Sequence, residues 1–109
     1  MNIEVKDVDG TQVVSIDGKI DTNTAPLLDA QLNELLSQSQ ANILTDFEST
    51  TFISSAGLRV LLSAAKKAKS QGGELTVCSM NPTVSEIFAI SGFATILRVF
   101  SNREEALAG

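Results

Sequence analysis

Asp46-Phe47-Glu48-Ser49-Thr50-Thr51-Phe52-Ile53-Ser54-Ser55-Ala56-Gly57-Leu58 is the stretch on which the reading turns. The apolar pair Ile43-Leu44 leads into it, and a helix-patterned run from Leu58 to Lys69 leads out. Between them stand small hydroxyl residues and one glycine. This is a strand that ends, a loop, and a helix N-terminus bearing serines. Such a terminus offers free backbone N–H groups and the positive end of the helix dipole, so it favours negative charge. A serine there either caps the helix or is a place to carry a phosphate.

Outward from that stretch the chain alternates strands and helices. Ile3 to Val8 alternates apolar and polar residues, Asp9-Gly10 signals a tight turn, and Gln12 to Ile16 predicts a second, antiparallel strand. Gly18-Lys19-Ile20-Asp21 leaves it. Thr22 or Thr24 is suited to cap a first helix with Pro26 in its first turn, its apolar stripe being Leu27, Leu28, Leu32, Leu35 and Leu36. Ala41 to Phe47 reads as the third strand, with Asp46 at its carboxyl end. In the second helix Leu58, Leu61, Leu62, Ala65 and Ala68 form the buried stripe, Arg59, Ser63, Lys66 and Ser70 much of the polar face, and Gly72-Gly73 the stop.

Glu74 to Ser79 is a further strand. Asn81-Pro82 starts a third helix that buries Val84, Ile87, Phe88 and Ile90, and Gly92-Phe93 fits its glycine cap. Ile96 to Phe100 reads as a last strand, and Asn102 to Leu107 as a short terminal helix. The expected order is ββαβαβαβα: an α/β fold over residues 1–109 as a single domain, with a mixed, mostly parallel sheet of about five strands and about four helices. Sheets of this kind place function at the carboxyl ends of their strands. That edge gathers Asp21, the stretch Asp46 to Gly57, and Ser79 to Asn81.

Composition narrows the chemistry. The chain has 109 residues, 43% apolar and 19% charged, enough for one core. No apolar run approaches the ~20 residues of a membrane span, and Met1 to Asp7 does not read as a signal peptide, so a cytoplasmic protein without membrane insertion is expected. The net charge of −5 argues against direct nucleic-acid binding, and Lys66, Lys67 and Lys69 suit the end of a helix. The chain has no histidine, the commonest general base and metal ligand. The single cysteine, Cys78, sits in an apolar strand pattern and reads as a structural thiol.

Catalysis therefore has little to build on. Ser54 and Ser55 have no histidine to activate them, and Ser54-Ser55-Ala56-Gly57-Leu58-Arg59 is not a phosphate-cradling P-loop. Asp21 and Asp46 are conceivable Mg²⁺ ligands, but a carboxylate beside helix N–H groups more often organises a loop. No metal or cofactor is expected. A binding or switching role fits better. Gly57 would let a bulky group approach, and a phosphate near Asp21 and Asp46 would repel an acidic or closely packed partner.

The segment Asp46 to Leu62 resembles the central motif of bacterial anti-sigma factor antagonists, the STAS domain. The family pattern is a strand-end Asp, an aromatic-aliphatic pair, then Asp-Ser-Ser/Thr-Gly-Leu opening a helix. The resemblance extends to the leading hairpin, to Gly18-Lys19-Ile20-Asp21 and to Ser91-Gly92-Phe93. It implies that Ser55, two residues before Gly57, is the phospho-acceptor, in an environment of Asp21, Thr22, Asp46, Ser54, Ala56, Gly57 and Arg59. Two residues depart from the pattern: Ser54 replaces the usual acid, and Ala56 the second hydroxyl.

The resemblance further implies a non-enzymatic regulator. Unphosphorylated, it binds an anti-sigma factor that is also a serine kinase. Phosphorylation on Ser55 breaks that complex, and a serine phosphatase resets it. The alternative is a non-catalytic accessory subunit of a membrane lipid (ABC-type) transport complex, where the same domain also occurs.

Overall fold

The computed structural model describes residues 1–108, apart from the side chain of Ala94. Strand β1 (Asn2–Val8) pairs antiparallel with β2 (Thr11–Ile20) across the Asp9-Gly10 turn. Both turn residues have positive φ, 51° and 89°, as the tight hairpin requires. Then follow α1 (Ala25–Ser37), β3 (Asn42–Asp46), β4 (Thr50–Ile53), α2 (Ser55–Ser70), β5 (Glu74–Cys78), α3 (Pro82–Ser91), a 3-10 turn (Phe93–Thr95), β6 (Val99–Phe100) and α4 (Arg103–Ala108). The sheet order is β1-β2-β3-β5-β6, with β4 added beside β2, and every pairing after the first is parallel. The mixed α/β architecture is the expected one, with six strands in place of five.

The strand that periodicity missed is β4. Its four residues lie inside the serine- and threonine-rich stretch and carry no clean alternation: Thr50 and Ile53 are buried, Thr51 and Phe52 exposed. Pairing alone makes it a strand. β3 leaves β2 at Ser15, and β4 takes up β2 from Gly18 to Ile20, across an irregularity at Gly18. Thr50 is fixed by its buried hydroxyl, which donates to the Ile16 carbonyl at 2.7 Å, and its own carbonyl accepts from Asn81 Nδ2 at 2.9 Å.

The main core lies on one face of the sheet. Val14, Ile16, Ile20, Ile43, Phe47, Ile53, Leu75 and Val77 meet the apolar stripes of α1, α2 and α3 there. Phe47, Phe88 and Phe93 stack edge to face across the α3 end of that core. Residues of opposite parity, Val13, Leu44 and Cys78, form a smaller cluster on the other face, packed by Ala106 and Leu107 of α4 and by Val8 and Phe100. The short α4 therefore covers a patch of sheet that would otherwise be wet.

Several boundaries differ from expectation. The second helix begins at Ser55 with Ser54 as its cap, three residues ahead of the apolar run that starts at Leu58, so the serines stand at its N-terminus as expected. Of the expected last strand only Val99 and Phe100 pair; Phe93 to Thr95 wind into a 3-10 turn, and Ile96 is 58% exposed. Leu27 and Ile90, expected inside, are 58% and 79% exposed. Leu27 is in the first turn of α1, and Ile90 falls off the Val84–Phe88 face of α3. The caps expected at Asn81, Gly92 and Asn102 are in place: Asn81 accepts from Val84 N, Gly92 is left-handed at φ 78°, and Asn102 accepts from Glu105 N.

Candidate functional site

The start of α2 is built from three elements. β2 ends at Ile20, and the amide of Ser54 donates to the Ile20 carbonyl at 2.7 Å, one step beyond the β2–β4 pairing. That bond aligns the end of β4 with the end of β2, so that Ser54-Ser55 and Asp21-Thr22 leave the sheet side by side. Ser54 then takes an extended conformation, and its Oγ accepts from the Gly57 amide at 3.3 Å. This N-cap satisfies one of the free donors of the first turn. Ser55, the next residue, is the first of the helix and is exposed. The two serines are thus not equivalent: one hydroxyl is held inward as a cap, the other stands in solvent.

Gly57 has a role different from the expected one. It is buried, and a Cβ there would lie 2.6 Å from Ile20 Cγ2 and 2.8 Å from Ile53 Cγ1. The glycine lets α2 descend onto the ends of β2 and β4; it faces the core, not an incoming group. Ala56 is half-buried and joins the packing against the core.

Asp21 is organised just as tightly. Its Oδ1 accepts from the amides of Asn23 and Thr24 at 2.9 and 3.0 Å, while Thr24 Oγ1 accepts from the Asp21 amide at 2.8 Å. This is a reciprocal cap, with the turn Thr22–Thr24 leading into α1. The side chain that caps this turn is therefore Asp21 and not a threonine as expected: Thr24 only answers it from three residues on and makes no side-chain cap to α1 itself, and Thr22 is exposed. The Thr24 amide foremost, then the Thr24 hydroxyl, the Asn23 amide and the charge of Lys19, hold the Asp21 carboxyl below its ordinary value of 3.8, against a smaller opposing effect of desolvation. Asp21 is an anion beside the serines at neutral pH.

Asp46 does not join them. It pairs in register with Ser15, five residues before Ile20 on β2; at ~3.3 Å per residue that is ~17 Å along the strand from the Ser54 contact. Its carboxylate is 2% exposed and accepts from Arg103 Nε of α4 at 2.9 Å and from the Glu48 amide at 3.0 Å. Arg103 Nη2 also donates to Ser15 Oγ at 2.9 Å. Proximity in sequence groups Asp46 with the serines, and the fold separates them. The inserted β4 carries the chain away from it, and Asp46 instead anchors α4. No motif pointed to Arg103, because its partner is 57 residues away.

Arg59 lies exposed on α2, four residues after Ser55 and so one turn along the same side. Exposed Ser55 and Arg59, anionic Asp21 and exposed Thr22 make a small polar corner. The Ile20–Ser54 bond, the Ser54 cap and the close packing at Gly57 hold its base.

A STAS-domain family model matches residues 2–106, and the chain belongs to that family. BtrV of Bordetella bronchiseptica, provisionally named an anti-sigma factor antagonist, is 35% identical over 108 residues, covering 99% of this chain and 93% of its own. An anti-sigma F factor antagonist of Paenibacillus polymyxa is 30% identical over 108 residues, covering 98% and 92%. Among solved structures, an anti-sigma factor antagonist from Mycobacterium paratuberculosis superposes with a TM-score of 0.91 at 26% identity, covering 98% of this chain and 91% of the other. These relatives are named as antagonists and not as transport subunits, which weighs against the accessory-subunit alternative. No helix among the described residues is long and apolar enough to cross a membrane.

Proposed function

We propose that this protein is an anti-sigma factor antagonist that works by partner switching in the cytoplasm, as the substrate of a serine kinase. Unphosphorylated, it binds an anti-sigma factor that carries the kinase activity. Phosphorylated on Ser55, it is released, and a serine phosphatase returns it to the binding form. The observation that carries this reading is the contrast between the two serines: Ser54 Oγ is engaged as the α2 cap, and Ser55 is exposed on the next residue.

The physical effect of the modification follows from the corner. A phosphate adds about −1.5 to −2 charges and three acceptor oxygens. At the first residue of α2 it meets the positive end of the dipole, a gain of up to ~2 kcal/mol, and Arg59 one turn along is within the reach of a pair. The fold therefore survives the modification. A partner packed over Ser55 does not tolerate it, because bulk and negative charge replace a small neutral hydroxyl beside the Asp21 anion. A loss of ~3 kcal/mol of contact weakens binding by about a hundredfold.

The test is binding of the cognate anti-sigma factor to the wild type, Ser55→Ala and Ser55→Asp. Ser55→Ala is expected to bind within about threefold of wild type and Ser55→Asp about a hundredfold more weakly. Equal binding by all three would remove the switch and favour a constitutive binding module.

A further inference from the structure

The other end of α2 carries a groove that the switch does not use. It lies between the second half of α2 and residues 96–97, over the start of β5, and encloses about 620 Å³. That is within the range of small-molecule sites, about 300–1,000 Å³. Leu75 and Leu97, both buried, line its interior, Leu62 and Ala65 form the α2 wall, and Ile96 stands 58% exposed at its side.

Along α2 the lining changes character in one direction. Leu62, Ala65, Lys66 and Lys69 recur at helical spacing on one side, apolar first and basic last. Glu74 also lines the groove, but Arg98 holds its carboxylate through Nε at 2.8 Å and Nη2 at 2.6 Å. The ion pairs among the described residues are Arg98–Glu74 and Arg103–Asp46, so Lys66 and Lys69 keep their charges uncompensated in a chain of net charge −5.

We infer that this groove binds a long-chain carboxylate, with its head at Lys66 and Lys69 and its alkyl chain along Leu62, Leu75, Ile96 and Leu97. The lining is mixed, with Asn42, Gly72 and Gly73 beside the apolar residues, but its exposed apolar surface comes from Leu62, Ala65 and Ile96 and its unpaired charge from two ammonium groups, an arrangement that complements a molecule with one apolar tail and one anionic end. Occupancy covers the Ile96 side chain, which the free protein leaves in water. Lys66 is eleven residues from Ser55, ~16 Å along the helix at ~1.5 Å per residue, so the ligand site is separate from the switch corner.

The probe is laurate below its micelle concentration, with dodecyltrimethylammonium as the control of equal chain length and opposite charge. Titration of the ¹⁵N-labelled protein is expected to move the amides of Leu62, Lys66, Lys69, Leu75, Ile96 and Leu97 with laurate, and not with the cation. Lys66→Gln/Lys69→Gln should weaken laurate at least tenfold, and Lys66→Arg/Lys69→Arg should restore it. Both lysines are exposed, so circular dichroism and melting temperature should show these variants folded. The inference is overturned by no shifts, by shifts elsewhere, by equal binding of the cation, or by undiminished laurate binding in the glutamine variant. Binding of an acidic helical peptide in this groove in place of laurate would also overturn it.

Discussion

The amide of Ser54 and the carbonyl of Ile20 are joined by a 2.7 Å hydrogen bond, and this contact places the first turn of α2 at the end of β2. Ser54 is spent on structure at both its amide and its hydroxyl. Ser54→Ala should therefore destabilise the fold by about 1 kcal/mol, the usual cost of a lost N-cap, while leaving Ser55 a competent acceptor. Ser55→Ala should change stability by less than about 0.5 kcal/mol, as an exposed helical position does. Urea denaturation of the two variants checks both halves of the statement.

Gly57 provides a sharper test of how α2 is seated. A methyl group at this position would come within 2.6 Å of Ile20 and 2.8 Å of Ile53, closer than carbon atoms pack. Gly57→Ala should cost about 1–3 kcal/mol through overpacking, although alanine is intrinsically the better helix former. A denaturation midpoint unchanged or raised in Gly57→Ala would show that the helix does not sit this close to the sheet.

The Arg103–Asp46 pair ties α4 to the sheet. Breaking a fully buried pair costs about 3–5 kcal/mol; with Arg103 40% exposed, water screens part of the charge left behind, and Arg103→Ala should cost about 1–3 kcal/mol. Adding Asp46→Asn should partly rescue Arg103→Ala, because it removes the buried charge left unpaired. Because α4 covers Cys78, Arg103→Ala should also speed the reaction of this thiol with a disulfide reagent. An unchanged rate would mean that α4 is held by packing alone.

Cys78 is shielded foremost by desolvation and also by the nearby Asp46 charge, which push its pKa up from 9.0 to about 11. The neutral thiol is favoured in the fold, so the unfolded chain loses this proton first as pH rises. Stability from this source is full below pH 9 and falls as pH climbs from 9 through about 11. Cys78→Ala should flatten the alkaline limb of a stability–pH profile in that window. Asp21 acts with the opposite sign. Its lowered pKa contributes stability above the unfolded value of 3.8 that is lost as pH falls, and Asp21→Asn should flatten the acid limb.

The sequence made much of this legible because local rules act on local residues. The Asp9-Gly10 turn, the Asn81 and Asn102 caps and the Gly92 terminus each depend on a few neighbours, and each is found. β4 was hidden because its pairing with β2 comes from residues over thirty positions away, and no apolar alternation marks it. The same strand explains why Asp46, nine residues from Ser55 in sequence, stands apart from it in space. The corner itself was readable as a serine-bearing helix start. The division of labour between Ser54 and Ser55 needed the hydrogen bonds.

The most direct measurement is phosphate mapping by mass spectrometry after incubation with the cognate anti-sigma kinase and ATP, for wild type, Ser54→Ala and Ser55→Ala. The account predicts one phosphate, on Ser55, in wild type and Ser54→Ala, and none in Ser55→Ala. Phosphate on Ser54, or none at all on a wild-type protein that demonstrably binds the kinase, would contradict it.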